Sequence, residues 1–260
     1  MRKLSLNLMA TTAVLLAGLG MAAAQEVRVG IAAEPYPPFT SPDASGNWNG
    51  WEIDFMNAIC DEAGLDCVIT PVSWDGIIPA LTTSRIDMII GSMSITPERL
   101  QTIDYSDKYY NTPTIIIGDK SLEFEPTPEG LADKVLGVQV STIHQAYAMK
   151  HFAPGGTTIR EYQTQDEANN YLAAGRVDAV QADSLALEAF LASTAGQSCC
   201  DNTGAVAQDV DILGPGVGVG LRKGDTELKE SINTAIAAIR ANGTYDEFSR
   251  KYFDFDVYGE

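Results

Sequence analysis

Ile86-Asp87-Met88-Ile89-Ile90 runs directly into Gly91-Ser92-Met93-Ser94-Ile95-Thr96-Pro97-Glu98-Arg99. A short, nearly continuous apolar run of this kind, preceded by a helical pattern over residues 75–82 with Ile77, Ile78 and Leu81 inward, reads as a strand buried on both faces. Such a strand needs cover on both sides, and the flanking sequence supplies it. Residues 27–31 read as a strand, 51–64 as a helix with Ile53, Phe55, Met56 and Ile59 inward, and 67–72 as a strand. This βαβα order predicts a mostly parallel sheet with helices on both faces. A second series starts near Thr114, with strand patterns at 115–117, 135–140 and 177–181 and helical patterns at 143–151, 165–174 and 185–191. After Leu213-Gly214-Pro215-Gly216 come an alternating strand over 217–221 and two amphipathic helices over 226–239 and 245–252. Two α/β series and a late return segment predict two lobes, with a ligand held where strand ends face each other across a cleft.

The loop that follows residues 86–90 carries chemistry suited to a small ligand. Ser92 and Ser94 supply hydroxyls, and Arg99 can pair with a carboxylate through two parallel bonds. Ser141-Thr142 follows a strand and opens a helix, where free N–H groups and the positive end of the dipole favour an anion. Asp183, beyond the strand at 177–181, can meet an ammonium group. Tyr36 and Trp74 offer aromatic faces past strand ends, and Glu34 offers an acid for a basic side-chain head. Each residue also has an ordinary reading: Ser, Thr and Asp before helices are caps, and single aromatics are core.

The 260 residues hold 17 Lys+Arg against 35 Asp+Glu, a formal charge of -18, with a pI near 4.3. A surface of this sign repels phosphate, which excludes a nucleic-acid partner. At 45% hydrophobic the chain can bury a core. Arg2 and Lys3, an apolar run from Leu8 to Met21 and Ala22-Ala23-Ala24 predict a signal peptide over residues 1–24 and export. In an oxidising compartment a cysteine pair reads as a disulfide, and Cys60 and Cys67 are expected to be bonded. The state of the adjacent Cys199 and Cys200 stays open. His144 and His151 lack the spacing of a zinc motif and read as surface helix residues, so no metal is expected.

Beyond these groups, several stretches resemble one family in order along the chain. They are Val27-Arg28-Val29-Gly30 with Tyr36-Pro37-Pro38-Phe39, Gly50-Trp51-Glu52-Ile53-Asp54, Trp74-Asp75-Gly76-Ile77-Ile78-Pro79-Ala80-Leu81, Ser92 to Arg99, Tyr105-Ser106-Asp107-Lys108-Tyr109-Tyr110, and the ending from Gly218 to Gly259. Together they resemble the amino-acid-binding proteins of bacterial ABC uptake systems (extracellular solute-binding family 3), most of all the lysine/arginine/ornithine and histidine binders, whose Cys60–Cys67 spacing this chain also shares.

The resemblance implies an α/β fold, a type II periplasmic-binding-protein clamshell of two lobes joined by two crossover strands. One lobe would be residues 25–112 with 214–260, the other 113–213. It implies that Arg99, with N–H groups at Ser94 and Thr142, binds an α-carboxylate. Asp183 with Ser92 and Ser94 would bind the α-ammonium, with Tyr36 and Trp74 on the side chain. It implies no cofactor and no catalysis, a monomer in the periplasm, a free amino acid as ligand, and an inner-membrane permease with its cytoplasmic ATPase as partner. Three departures bear on selectivity: where the basic binders have an Asp shortly before the aromatic, this chain has Ala32-Ala33-Glu34-Pro35 with one extra residue between Gly30 and Tyr36, which leaves open whether Glu34 replaces that acid; Gly91 stands for a serine; and Ile143 stands for a glutamine. A basic amino acid is the first expectation, with another polar amino acid or an opine-like derivative next. A cyclohexadienyl-dehydratase-like enzyme on the same fold is the alternative of another class, and it would need a pocket acid such as Glu34.

Overall fold

The structure, a computed structural model, describes residues 26–259. The expected signal peptide, residues 1–24, lies outside them. The described chain opens with β1 (Glu26–Ala32), a hairpin of β2 (Ser41–Pro42) and β3 (Trp48–Asn49), α1 (Trp51–Ala63), β4 (Asp66–Val72), α2 (Ile77–Thr82), β5 (Met88–Ile89) and β6 (Asp104–Tyr110). It continues through β7 (Thr114–Asp119), β8 (Val135–Gln139), α3 (Ile143–His151), β9 (Thr158–Tyr162), α4 (Gln165–Ala173), β10 (Ala179–Asp183), α5 (Ser184–Leu191), α6 (Thr194–Cys199), β11 (Cys200–Ala205) and α7 (Val210–Leu213). β12 (Val217–Leu221), α8 (Thr226–Ala241) and α9 (Thr244–Ser249) complete it.

Apart from the β2-β3 hairpin, these strands form two five-stranded sheets, ordered β4-β1-β5-β12-β6 and β11-β7-β10-β8-β9. The chain therefore leaves the first sheet between Tyr110 and Thr114 and re-enters it between Ala205 and Val217. Both sheets are mixed, which corrects the expectation of mostly parallel ones. β1 runs parallel to β4 and β5, but the returning β12 is antiparallel to β5 and β6. In the second sheet β8 is parallel to β9 and β10, whereas β7 is antiparallel to β10 and β11.

Alternation along the central strands sends side chains to both faces of each sheet. On one face of the first sheet Val27 and Val29 meet Trp51, Phe55, Ile59, Ile232 and Ile236. On the other, Ile89 meets Ile77, Leu81 and Ile103. β7 divides in the same way, with Ile115 and Ile117 in one core and Ile116 in the opposite one. Leu185 of α5 is buried in the first sheet's aromatic core, so the two halves share apolar contact beside the crossovers. Cys60 and Cys67 are bonded, joining α1 to β4, and Cys199 and Cys200 are bonded to each other where α6 meets β11.

The entry to α1 rests on a glycine. Gly50 has φ 125, and a Cβ there would lie 2.2 Å from the Phe39 carbonyl oxygen. Gly50→Ala therefore adds both left-handed strain and a backbone collision, a destabilisation of about 3 kcal/mol. The expected reading is a Tm lower by roughly 6–12 °C in a thermal melt. An unchanged Tm would show that the turn before Trp51 relaxes freely.

Candidate functional site

The carboxyl ends of the central strands of both sheets open on one cavity of about 210 Å³, the position expected for a ligand in open α/β sheets. From the first sheet it is lined by Glu34, Tyr36, Trp74, Ser92, Ser94 and Arg99, and from the second by Gln139, Thr142, His144, Gln165 and Asp183.

Ser92 follows β5 in a left-handed turn with φ 55. Its N–H donates to Glu52 Oε1 at 2.6 Å, and its own hydroxyl is buried without a hydrogen-bond partner. Arg99 is fixed by its backbone N–H, which donates to Thr96 Oγ1 at 3.2 Å, and by its guanidinium, which donates to the Ser94 carbonyl at 3.1 Å. A further guanidinium bond crosses the cleft to the Ser141 carbonyl at 3.3 Å. The Trp74 indole donates to that same carbonyl at 3.1 Å, and the guanidinium lies 5.6 Å from the centre of a Trp74 ring. Burial lowers the Arg99 pKa. Among the described residues no carboxylate pairs with it, so its hydrogen-bonding edge meets neutral carbonyls.

The acids stand elsewhere in the same cavity. Asp183 Oδ1 accepts the Leu185 N–H at 2.9 Å, which is the capping role the ordinary reading assigned it, while Oδ2 accepts the Thr112 hydroxyl. Burial pushes its carboxyl up to about 6. Glu34 reaches the cavity as well, and its Oε2 is buried with no hydrogen-bond partner. A fixed cation and acids held apart in one small cavity complement a zwitterion.

Two expectations are corrected. Ser141 does not line the cavity; its backbone, at φ 59, turns its carbonyl to Arg99 and Trp74. His144 is not a surface residue: it is 8% exposed, with Nδ1 3.3 Å from Thr114 Oγ1. Burial, with Arg99 nearby, lowers its pKa to about 3, so it stays neutral. Thr142 lines the cavity as expected, but its hydroxyl is occupied as the cap of α3, accepting from Gln145 N at 3.1 Å and donating to the Gln139 carbonyl at 2.7 Å. Only its backbone N–H is left for a ligand. Among the described residues no three His, Cys, Asp or Glu side chains are grouped as metal ligands would be.

Residues 27–255 match the family model of the bacterial extracellular solute-binding proteins, family 3. The chain belongs to that family. It is similar to the L-arginine-binding protein of Pseudomonas aeruginosa, 41% identical over 92% of each chain, and to the histidine-binding periplasmic protein of Salmonella typhimurium, 38% identical over the full length of both. Among solved structures it is similar to an ancestral arginine-binding protein bound to arginine, with a TM-score of 0.80 and 32% identity over 89% of this chain and 99% of that one. The two-lobed clamshell expected of the family is the fold observed.

In this solute-binding protein Gln139, Gln165 and Gln208 also border the cavity and were not singled out in the sequence. Gln139 ends β8 and Gln165 opens α4, positions that strand and helix boundaries mark as cleft-facing. Gln208 lies in the irregular stretch before α7, where the sequence pattern offers no signal.

Proposed function

We propose that this protein is the periplasmic component of an ABC uptake system and that it binds a basic amino acid (lysine, arginine, ornithine or histidine) between its lobes. The carrying observation is the opposition, within one cavity, of a half-buried Arg99 without a carboxylate partner to a half-buried Asp183 without a cation. Arg99 with backbone N–H groups at Ser94 and Thr142 takes the α-carboxylate, and Asp183 with Ser92 and Ser94 takes the α-ammonium. Tyr36 and Trp74 flank the side chain, and the unpartnered oxygen of Glu34 favours a cationic head. The names of the arginine- and histidine-binding relatives support this ligand class.

We place the lobe boundaries at 112/113 and 213/214, which sheet membership supports. A ligand touching both lobes favours closure, because only the closed state makes both sets of contacts. The closed monomer then docks on an inner-membrane permease driven by a cytoplasmic ATPase. Delivery to the periplasm would follow cleavage after Ala24. The protein acts by binding and carries out no reaction, so prephenate and arogenate should pass through unaltered.

Titration calorimetry with the twenty amino acids and ornithine tests the reading. Basic amino acids should bind at micromolar Kd or tighter, and failure of all to bind better than millimolar would refute it. Glu34→Gln should weaken arginine and lysine by roughly ten- to a hundredfold, the effect of removing a charged hydrogen bond worth about 1.5–3 kcal/mol. Equal losses for neutral amino acids would remove Glu34 from the side-chain subsite.

A further inference from the structure

We propose that Glu52 is a positioning residue of the ammonium subsite: it holds Ser92 in its left-handed turn and gives up a proton when an ammonium group enters the cleft. This inference rests on the amino-acid reading above and adds a residue that does not itself border the cavity.

Glu52 lies in the first turn of α1 and is fully buried. Its Oε1 accepts both the Ser92 N–H and the Tyr109 hydroxyl, whereas Oε2 has no hydrogen-bond partner. A buried carboxylate is expensive unless paired, yet no cation pairs with it among the described residues. Asp183 is half-buried and likewise has no cation paired with it among the described residues. One turn of chain therefore separates Glu52 from the cavity: its Oε1 grips the backbone of Ser92, whose unpartnered hydroxyl is available to a ligand. The left-handed φ of 55 at Ser92 is unusual for a residue with a Cβ, and the bond to Glu52 is what secures it.

The titratable groups around Glu52 are phenols and one other acid. Tyr109 and Tyr110 face it from β6, Tyr36 from the segment after β1, and Asp183 from the end of β10. From α9 the Tyr245 hydroxyl donates to the Tyr109 carbonyl at 2.7 Å. Asp54, further along α1, is engaged with Lys251 and Tyr252. Burial raises the Glu52 carboxyl to about 7, with the charge of Asp183 adding to it and the bonds from Tyr109 and Ser92 opposing it. Near neutral pH the Glu52 carboxyl of the ligand-free protein is thus partly protonated. An entering ammonium group favours the ionised forms and expels the proton. Affinity accordingly rises with pH through 6 to 8 and is lost as pH falls, because the bound state holds fewer protons than the free one.

Calorimetry with L-arginine in buffers of different ionisation enthalpy tests this. Wild-type protein should release about half a proton at pH 7 and bind about ten- to twentyfold more weakly at pH 6 than at pH 8. Glu52→Gln should abolish the release at pH 7 and reduce the change between pH 8 and 6 to about twofold, the part due to Asp183. Tyr109→Phe, which removes a donor to the ionised carboxyl, should move the step to higher pH and serves if Glu52→Gln does not fold. Proton release unchanged in Glu52→Gln, or affinity flat with pH in the wild type, overturns the proposal. Carbon-13 NMR of the ligand-free protein provides a check independent of ligand: a Glu52 carboxyl already ionised at pH 5 also overturns it. Absence of any arginine binding at pH 8 overturns the ligand reading and the ammonium half of this one together.

Discussion

Replacing Arg99 with alanine should weaken amino-acid binding by roughly thirtyfold to several thousandfold, the equivalent of about 2–5 kcal/mol. The guanidinium is half-buried and faces the Ser94 and Ser141 carbonyls and the Trp74 ring, so the protein satisfies its hydrogen bonds without neutralising its charge. A ligand carboxylate supplies the missing charge in a site shielded from water, where the pair is strongest. Arg99→Lys should recover only part of the loss, because an ammonium lacks the planar fork that can hold two carbonyls and a carboxylate at once. The ligand-free Arg99→Ala protein should melt no lower than wild type, since it no longer buries a cation without a counter-charge. Calorimetry and thermal melts on the same samples measure both quantities. Retained affinity in Arg99→Ala would place the carboxylate elsewhere.

The second large effect is at Asp183. Asp183→Asn should cost a hundredfold or more in affinity for any α-ammonium ligand while making the ligand-free fold more stable at pH 8. Burial raises this carboxyl from 3.8 to about 6, so ionisation is less favourable in the folded chain than in the unfolded one. The stability contributed by the protonated group is complete below pH 4 and is lost as pH rises through about 6. Asparagine cannot ionise, yet its oxygen can still accept the Leu185 N–H. The gain at pH 8 should be of the order of 2–3 kcal/mol at most, and it should vanish at pH 4. A variant less stable than wild type at both pH values would show that the bond from Thr112 outweighs the charge.

What the sequence made legible follows burial. β1, β5, β7 and β8 are apolar runs, and the helices between them have clear faces, so the α/β order and the return through β12 were readable. β6, β9 and β11 were not read as strands: Asp104–Tyr110, Thr158–Tyr162 and Cys200–Ala205 lie at sheet edges, where one side faces solvent and polar residues dilute the pattern. The site divides in the same way. Arg99, Asp183, Trp74 and Tyr36 were visible because charge or aromaticity at a strand end is rare enough to notice. Ser141 acts through a carbonyl, which every residue carries, so its role could only be seen in three dimensions. His144 looked superficial because neighbours on α3 are polar, but its face of the helix turns toward the crossover at Thr114. Glu52 sat inside an apparently ordinary helix start, and its burial beneath Ser92 depends on contacts from β6, far along the chain.

The position of β12 has a consequence for the order of events during synthesis. Among the described residues it alone bridges β5 and β6, and its cover, α8 with α9, follows it in the chain. A polypeptide emerging from its N-terminus therefore holds β6 without a partner in its sheet until residues 217–221 have been made. The second sheet, contiguous from Thr114 to Ala205, has all its strands available earlier and can assemble first. Nascent chains cut after residue 205 should accordingly protect the second sheet's amides from hydrogen exchange while leaving the first sheet open, and completion of the first sheet waits on residues 217–249.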